Sequence, residues 1–314
     1  MSPITILKPG VLSTIQDEGR LGVLHEGITE SGSMDRWSAR CANELCLNSH
    51  LDAVIEVNLG GLECRVESSI AIAVTGGFST LQINGEFAEM WRSHVLHEGD
   101  IIQLGFCQHG ARLYLGVSGG IQVSPTLNSR STTLNWGIGG LSGRALAIGD
   151  TLACSPPHDH KVRRISVRHR PSFSHEVNLP ILPYSQYGYL TEEQRSTFFT
   201  TQYKVDERCD RMGYRLIGES VQPPSANLYS EGLVCGAIQL PPDGQPFILM
   251  RDHQSIGGYP KMGSVLGPGI DELSQSVTGT RIQFSPQTHS QALQINNGYL
   301  RRLENIPIII DAQY

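Results

Sequence analysis

The sequence predicts a mainly β protein, made of two β-barrel domains with a few short helices. Short apolar segments rich in β-forming residues recur along the chain, and each ends in turn residues. The 34 glycines and 17 prolines separate these segments, while helical periodicity occurs in few places. Closely spaced strands of this kind favour a barrel or a sandwich.

Four segments predict strands, because each is rich in β-forming residues and ends in turn residues. They are "SIAIAVTGG" at 69–77, "RLYLGVSGG" at 112–120, "AIQLPPDG" at 237–244 and "PFILMRD" at 246–252.

Three segments predict helices. In residues 34–47, Trp37, Cys41 and Leu45 share a face, and Ser33 is the predicted N-cap. Residues 191–199 begin with Thr191, which can cap a helix whose first turn is acidic. A shorter helix is expected at 269–277. Residues 14–36, "TIQDEGRLGVLHEGITESGSMDR", which end at the start of the first helical segment, have no hydrophobic period and predict neither a clear strand nor a clear helix.

The domain boundary is expected at 154–164, "CSPPHDHKVRR", where two prolines and a run of charges interrupt the apolar pattern. The predicted domains are therefore 1–157 and 163–300.

Composition excludes several classes of function. A net charge of −6 offers no basic surface for nucleic acid. No apolar run approaches the roughly 18 residues that predict a membrane span, and the N-terminus lacks the pattern of a signal peptide. Seven scattered cysteines without a C-x-x-C pair are typical of reduced thiols, so a cytoplasmic location is expected. The histidines form no set that completes a metal site, and no metal is expected.

Polar residues cluster most densely in the second predicted domain. Arg211 and Arg215 flank a Gly-Tyr pair in "DRMGYRL", and Asp252 and Lys261 flank the turn "GGYP". The two arginines and the lysine can bind a carboxylate or a carboxyl-transfer intermediate. A purely structural turn of the barrel, with ion pairs at its surface, has the same composition. In the first domain, the side chains of "SRST" at 129–132 can bind an anion, or their hydroxyls can form hydrogen bonds with the backbone of the same loop.

Seven segments together resemble the biotin-dependent carboxyltransferase family, subdomain A/B, also called the allophanate hydrolase subunit 2 or KipA-like family. They follow the family's order from about Ile6 to Phe284. The segments are "PGVLSTIQDEGRLG", "GITESGSMDR", "IEVNLGG", "VTGG", "LNSRSTTLNWGIGGLSGRALAIGD", "RMGYRL" and "SEGLVCGAIQLPPDGQPFILMRDHQSIGGYPKMGSV".

The resemblance implies a cyclophilin-like β-barrel in each domain and a heteromeric complex. Its leading implication is the C subunit of an ATP-dependent 5-oxoprolinase, which opens 5-oxo-L-proline to L-glutamate. The expected partners are a KipI-like (allophanate hydrolase subunit 1) protein and a lactam-utilisation-type protein, with ATP used by the complex. Two alternatives are a biotin-dependent carboxyltransferase acting on urea or a related amide, and a KipA-like regulatory protein that binds a KipI-like kinase inhibitor. The chain has no biotin-carrier motif, so biotin, if used, is expected on another protein.

The candidate site residues combine residue chemistry with position in these motifs. The candidate catalytic residues are Asp252, Lys261 and Glu231. The candidate substrate-binding residues are Arg211, Tyr214, Arg215, Gln239, Gln254, Gly257, Gly258, Tyr259, Ser129, Arg130 and Thr132. The residues expected to be either structural or ligand-facing are Asp17, Arg20, Ser31 and Asp35. The chain departs from the family pattern "ADxQTTGGYP" by reading "RDHQSIGGYP", which weakens any transfer of substrate specificity.

Overall fold

A computed structural model describes residues 2–159, 161–223 and 229–311 of the chain. The prediction of a mainly β protein is confirmed, since these residues form 22 strands and four α-helices. The chain divides into two compact units. Unit 1 comprises Met1–Arg20, Ser31–Phe173 and Asn305–Tyr314, and unit 2 comprises Leu21–Glu30 and Ser174–Glu304. No helix within the described ranges is long and apolar enough to cross a membrane.

Unit 1 contains a six-stranded and a five-stranded sheet, with strand orders β11-β1-β4-β9-β6-β7 and β2-β3-β10-β5-β8. A third, two-stranded sheet joins β12 to β22. The strands are β1 (Ser2–Pro9), β2 (Leu12–Gln16), β3 (Val54–Asn58), β4 (Leu62–Val66), β5 (Ile70–Phe78), β6 (Leu81–Ile83), β7 (Glu86–Ala88), β8 (Ser93–Leu96), β9 (Ile101–Leu104), β10 (His109–Val117), β11 (Thr151–Cys154), β12 (Arg163–Ile165) and β22 (Ile308–Ile310).

The helix of unit 1, α1 (Arg36–Leu45), packs its apolar face against β5 and β10. Its N-cap is Asp35, so the prediction of Ser33 as the cap is wrong. The Asp35 carboxylate accepts hydrogen bonds from Ser38 N at 2.9 Å and Ser38 Oγ at 2.6 Å. Ser33 instead donates its hydroxyl to Asp17 O at 3.2 Å. A carboxylate at the N-cap also interacts favourably with the helix dipole.

Unit 2 is built around a closed barrel of seven strands in the order β13-β20-β17-β18-β15-β14-β21. Only β13 and β21 pair in parallel; the other described pairs in the barrel are antiparallel. The strands of this unit are β13 (Glu176–Pro183), β14 (Tyr203–Cys209), β15 (Gly213–Ile217), β16 (Glu231–Gly232), β17 (Ala237–Gln239), β18 (Phe247–Leu249), β19 (Ile256–Gly257), β20 (Lys261–Val265) and β21 (Arg281–Pro286).

Two of the helices of unit 2 were predicted and one was not. The helix α2 (Glu192–Thr200) begins after Thr191, which forms a capping box with Gln194 as the sequence suggested. The helix α3 (Gly267–Ser274) starts two residues before the predicted segment. The longest helix, α4 (His289–Glu304), was missed, because its buried residues form only a narrow stripe and its interior contains a glycine.

The predicted domain limits, 1–157 and 163–300, remain a prediction. Strand β12 begins within the predicted boundary segment 154–164 and pairs with β22 within unit 1, with Arg164 opposite Ile309. Strand β13 is the first strand of unit 2. The irregular segment Leu21–Glu30 belongs to unit 2 although it lies early in the sequence.

Candidate functional site

A buried carboxylate, Asp17, organises the irregular motif of unit 1. Its oxygens accept hydrogen bonds from Ser129 Oγ at 2.7 Å, Ser131 Oγ at 2.5 Å and Arg130 N at 2.5 Å. Gly19 N donates a further bond at 2.8 Å. Hydrogen bonds to an ionised acceptor are stronger than neutral ones. Asp17 therefore ties the "SRST" segment to the loop that follows β2.

Arg20, which is fully buried, forms a second link to the same segment. Its guanidinium donates to Thr133 Oγ1 at 2.9 Å and to the carbonyl of Ser131. Gly139 closes over this contact with φ at +70°. A Cβ at Gly139 would lie 2.0 Å from Ser131 O and 2.2 Å from the guanidinium of Arg20. The close approach and the positive φ explain why position 139 is a glycine.

The other motif residues of unit 1 are also bonded to protein atoms. Ser31, at φ +55°, donates to Thr132 O at 3.3 Å, and Thr132 Oγ1 donates to Ile15 O at 3.0 Å. Asp35 caps α1 and its backbone N–H donates to Tyr114 Oη at 2.8 Å. Because these side chains are buried and engaged within the unit, the geometry favours the structural alternative for the first-domain candidates.

A groove of about 840 Å³ lies on the barrel of unit 2. Its walls come from the end of β14, the turn into β15, strands β17 and β18 and the loop that contains Gln254 and Tyr259. The residues that line it are Glu207, Arg208, Cys209, Asp210, Met212, Gly213, Arg215, Gln239, Pro241, Pro242, Asp243, Phe247, Gln254 and Tyr259. Its volume lies within the range of sites for small molecules.

Two aspartates hold the Arg215 side chain in this groove. Asp206 Oδ2 lies 3.3 Å from Arg215 Nε, and Asp243 Oδ2 accepts from Arg215 Nη2 at 2.5 Å. Desolvation raises the pKa of Asp243, but the hydrogen bonds from Arg215 and the Gln245 backbone outweigh it, so this pKa lies below its ordinary value. Arg215 is thus a positioned cation beside ionised carboxylates.

Gln239 is one of the residues that line the groove, and it is 2% exposed. Its Nε2 has no hydrogen-bond partner among the described residues. Gly257 makes room for this amide, since a Cβ at position 257 would approach Gln239 Nε2 and Leu233 Cδ1 to 2.8 Å. The lining of the groove therefore includes a residue with a buried, unpaired amide.

Arg211 and Asp252 form a buried ion pair in unit 2. Arg211 Nε and Nη2 donate to the two carboxylate oxygens of Asp252, each at 3.0 Å, and the two residues are 8% and 7% exposed. Asp252 N also donates to Arg211 O at 2.8 Å. A bidentate pair of this kind fixes the loop after β18 against the turn that precedes β15.

Lys261 and Glu231 form a second ion pair at the edge of the barrel. Lys261 Nζ lies 2.8 Å from Glu231 Oε2, and Gln186 donates to the other carboxylate oxygen at 2.5 Å. The Glu231 side chain is 46% exposed. The carboxylate is thus held in place while keeping contact with solvent.

His253, one of the residues that depart from the family pattern, is 1% exposed. Its Nδ1 lies 2.7 Å from Gln254 O, and because a carbonyl only accepts, Nδ1 carries the proton. Its Nε2 has no partner among the described residues. Desolvation lowers the pKa of His253, so the ring is neutral near neutral pH. The segment Leu21–Glu30 supports this loop, since Thr29 Oγ1 donates to Arg251 O at 3.0 Å.

The groove brings together four of the predicted substrate-binding residues: Arg215, Gln239, Gln254 and Tyr259. Tyr214 is buried, and its hydroxyl lies 3.3 Å from Ser274 O. Arg211, Asp252, Lys261 and Glu231 form the two ion pairs just described, while Gly257 underlies Gln239 and Gly258 is exposed. The functional roles of all these residues stay predictions.

Sequence reasoning missed Asp206, Asp243 and Gln186, which position the candidate residues. Asp243 lies in a Pro-Pro-Asp-Gly turn, a context that predicts only a turn. No group of three or more His, Cys, Asp or Glu residues in the described part of the chain is arranged to hold a metal ion.

Comparison with known proteins identifies the family. The sequence profile of the carboxyltransferase domain, subdomain A and B, matches residues 26–286. The chain belongs to this family. Two proteins named as the C subunit of 5-oxoprolinase, from Haemophilus influenzae and from Escherichia coli, are each 31% identical to it. The alignment with the first relative covers 98% of this chain and 99% of that protein. The alignment with the second covers 96% of this chain and 97% of that protein.

The family also includes segments of much larger proteins. The urea amidolyase of Lachancea kluyveri is 28% identical over 96% of this chain, which spans 18% of that relative. The crystal structure of the Kluyveromyces lactis urea carboxylase superposes with a TM-score of 0.90 at 27% identity, covering 97% of this chain and 29% of that one. This chain and that part of the urea carboxylase thus share the same fold.

Proposed function

We propose that this chain is the C subunit of an ATP-dependent 5-oxoprolinase complex, which opens 5-oxo-L-proline to L-glutamate with ATP hydrolysis. The main support is the match to a protein named as that subunit, covering 98% of this chain and 99% of the relative. The match to urea amidolyase spans only 18% of that protein. The proposal therefore follows the relatives that the chain matches over nearly their whole length.

Within this proposal, the groove of unit 2 binds the substrate. Arg215 supplies a positioned cation, and Gln254 and Tyr259 supply hydrogen-bonding groups at the rim. Glu231, held by Lys261 and Gln186 yet open to solvent, is the group best placed to move a proton to or from water. The buried Arg211–Asp252 pair holds the loop that contributes Gln254.

The proposal includes two partners, a KipI-like protein and a lactam-utilisation-type protein, and ATP at the level of the complex. The test mixes the three proteins and follows glutamate release from 5-oxoproline with and without ATP. Release only with all three proteins and ATP is expected. The variants Lys261→Ala and Arg211→Ala should lower turnover, whereas Lys204→Ala, which changes an exposed lysine of β14, should not. Full activity of both site variants would contradict the assigned residues.

A second candidate is a carboxyltransferase that acts on urea or a related amide. The TM-score of 0.90 with a urea carboxylase favours it, although fold similarity alone does not transfer an activity. This function requires biotin on another protein, so avidin should abolish turnover of urea. Binding of a KipI-like partner without any turnover would instead support a regulatory role.

A further inference from the structure

The side chain of Gln239 presents a buried donor that the described protein atoms leave unpaired. It lies at the end of β17 and is 2% exposed, and its Nε2 lacks a hydrogen-bond partner. Buried donors are almost always paired, because an unpaired one has lost its water and gained nothing in return. A donor left in this state, on a side chain that lines a groove, can bind an acceptor on a ligand.

The surroundings keep the amide in this position. Gln239 is opposite Phe247 of β18 and opposite Lys261 of β20, so both neighbouring strands fix its backbone. Gly257 approaches so closely that any Cβ there would collide with Nε2. Gln254 and Tyr259 line the same groove as Gln239.

We infer that the carboxamide of Gln239 recognises the cis-amide edge of a small ligand, as found in a lactam or in urea. A primary amide has a donor and an acceptor in one plane, Nε2–H and Oε1. A cis amide has the matching acceptor and donor, C=O and N–H, on one edge. Two parallel hydrogen bonds would form between them. This inference rests on the proposed function for the choice of lactam, 5-oxoproline, but concerns binding alone.

The recognition would discriminate strongly against molecules without that edge. A site built to bond a polar group rejects an analogue that lacks it, because its own buried group is then left unpaired. Proline has the ring and carboxylate of 5-oxoproline but no lactam carbonyl. Binding of proline should therefore be at least about ten-fold weaker than binding of 5-oxoproline.

The test uses the full chain and two variants, Gln239→Met and Gln108→Met. Methionine resembles glutamine in size but has neither amide group, and Gln108 is an exposed residue of unit 1 that serves as the control. Dissociation constants for 5-oxoproline, urea and proline are measured by ligand-observed NMR titration, and the melting temperature of each protein is measured in the absence of ligand.

We expect Gln239→Met to weaken binding of 5-oxoproline about ten-fold or more, and Gln108→Met to leave it unchanged. The melting temperature of Gln239→Met should stay the same or rise, because the variant removes an unpaired buried donor. A purely structural role for Gln239 predicts the opposite, a lower melting temperature.

Three results would overturn the inference: equal binding by the wild type and Gln239→Met, no binding of either 5-oxoproline or urea to the wild type, or a melting temperature lowered by Gln239→Met. Binding of urea but not of 5-oxoproline, if lost in Gln239→Met, would support the recognition of a cis amide while contradicting the 5-oxoprolinase proposal. The activity of the three-protein mixture tests that proposal separately.

Discussion

The buried ion pair of Arg211 and Asp252 offers the sharpest perturbation of the candidate site. Changing Asp252→Asn removes the negative charge but leaves the guanidinium buried between the same walls. Both side chains are at least nine-tenths buried, and the pair makes two hydrogen bonds of 3.0 Å. The pair thus belongs to the desolvated class, in which removal of one partner is far more costly than at the surface.

The expected loss of unfolding free energy is about 3–5 kcal/mol for Asp252→Asn, and similar for Arg211→Met. The double variant Arg211→Met/Asp252→Asn leaves no unpaired charge, so it should be more stable than the sum of the two single changes predicts. The assay is urea unfolding of all four proteins, analysed as a double-mutant cycle. Losses that simply add would refute the view that the two charges depend on each other.

The same variants separate structure from catalysis. If Asp252 only holds the loop that contributes Gln254, the double variant should restore folding and a large part of the turnover of the complex. If Asp252 moves a proton, the double variant should fold yet remain inactive. Either result assigns a role to the residue, because stability and turnover are measured on the same protein.

Three further outcomes are expected. Gly139→Ala should destabilise the chain by about 2–5 kcal/mol in urea unfolding, because a Cβ 2.0 Å from Ser131 O adds overpacking to the backbone strain at φ +70°. Gly279→Ala, at φ +86° with nothing within 4 Å, should show only the backbone strain of about 1–2 kcal/mol. Equal losses in the two variants would contradict the account. Asp17→Asn should lower the unfolding free energy by about 1.5–3 kcal/mol, because a charged hydrogen-bond acceptor is lost. An unchanged midpoint of urea unfolding would show that the hydrogen bonds of Asp17 contribute little. Burial lowers the pKa of His253 in the folded state, so the unfolded chain binds more protons, and the free energy of unfolding should fall as the pH drops below about 6.5. Between pH 7.5 and pH 5.5, His253→Gln should lose less unfolding free energy than the wild type. An identical pH dependence in both proteins would exclude His253 as a cause.

Local patterns predicted the parts of the fold that local chemistry determines. Thr191 with Gln194 three residues later predicts a capping box, and the structure has both of its hydrogen bonds. The apolar segment at 69–77 became the buried strand β5 because its residues pack on both faces of the sheet. The N-cap of α1 was wrong by two residues, since Ser33 and Asp35 are both good caps and only the tertiary bond of Ser33 to Asp17 separates them.

The candidate site was only partly predictable. The motif residues that line the groove, Gln254 and Tyr259, lie in one short segment, so the sequence placed them together. Asp206 and Asp243 meet at Arg215 only because the barrel closes and sets its strand register, which no local pattern reveals. The unpaired amide of Gln239 is likewise visible only once the space beside Gly257 is known.

The measurement that tests the central claim most directly is glutamate release from 5-oxoproline by this chain mixed with its KipI-like and lactam-utilisation-type partners. It is run with and without ATP, with each protein omitted in turn, and with avidin added. The account predicts glutamate only when all three proteins and ATP are present, at a rate that avidin leaves unchanged. Turnover without this chain, or turnover of urea alone that avidin blocks, would contradict it.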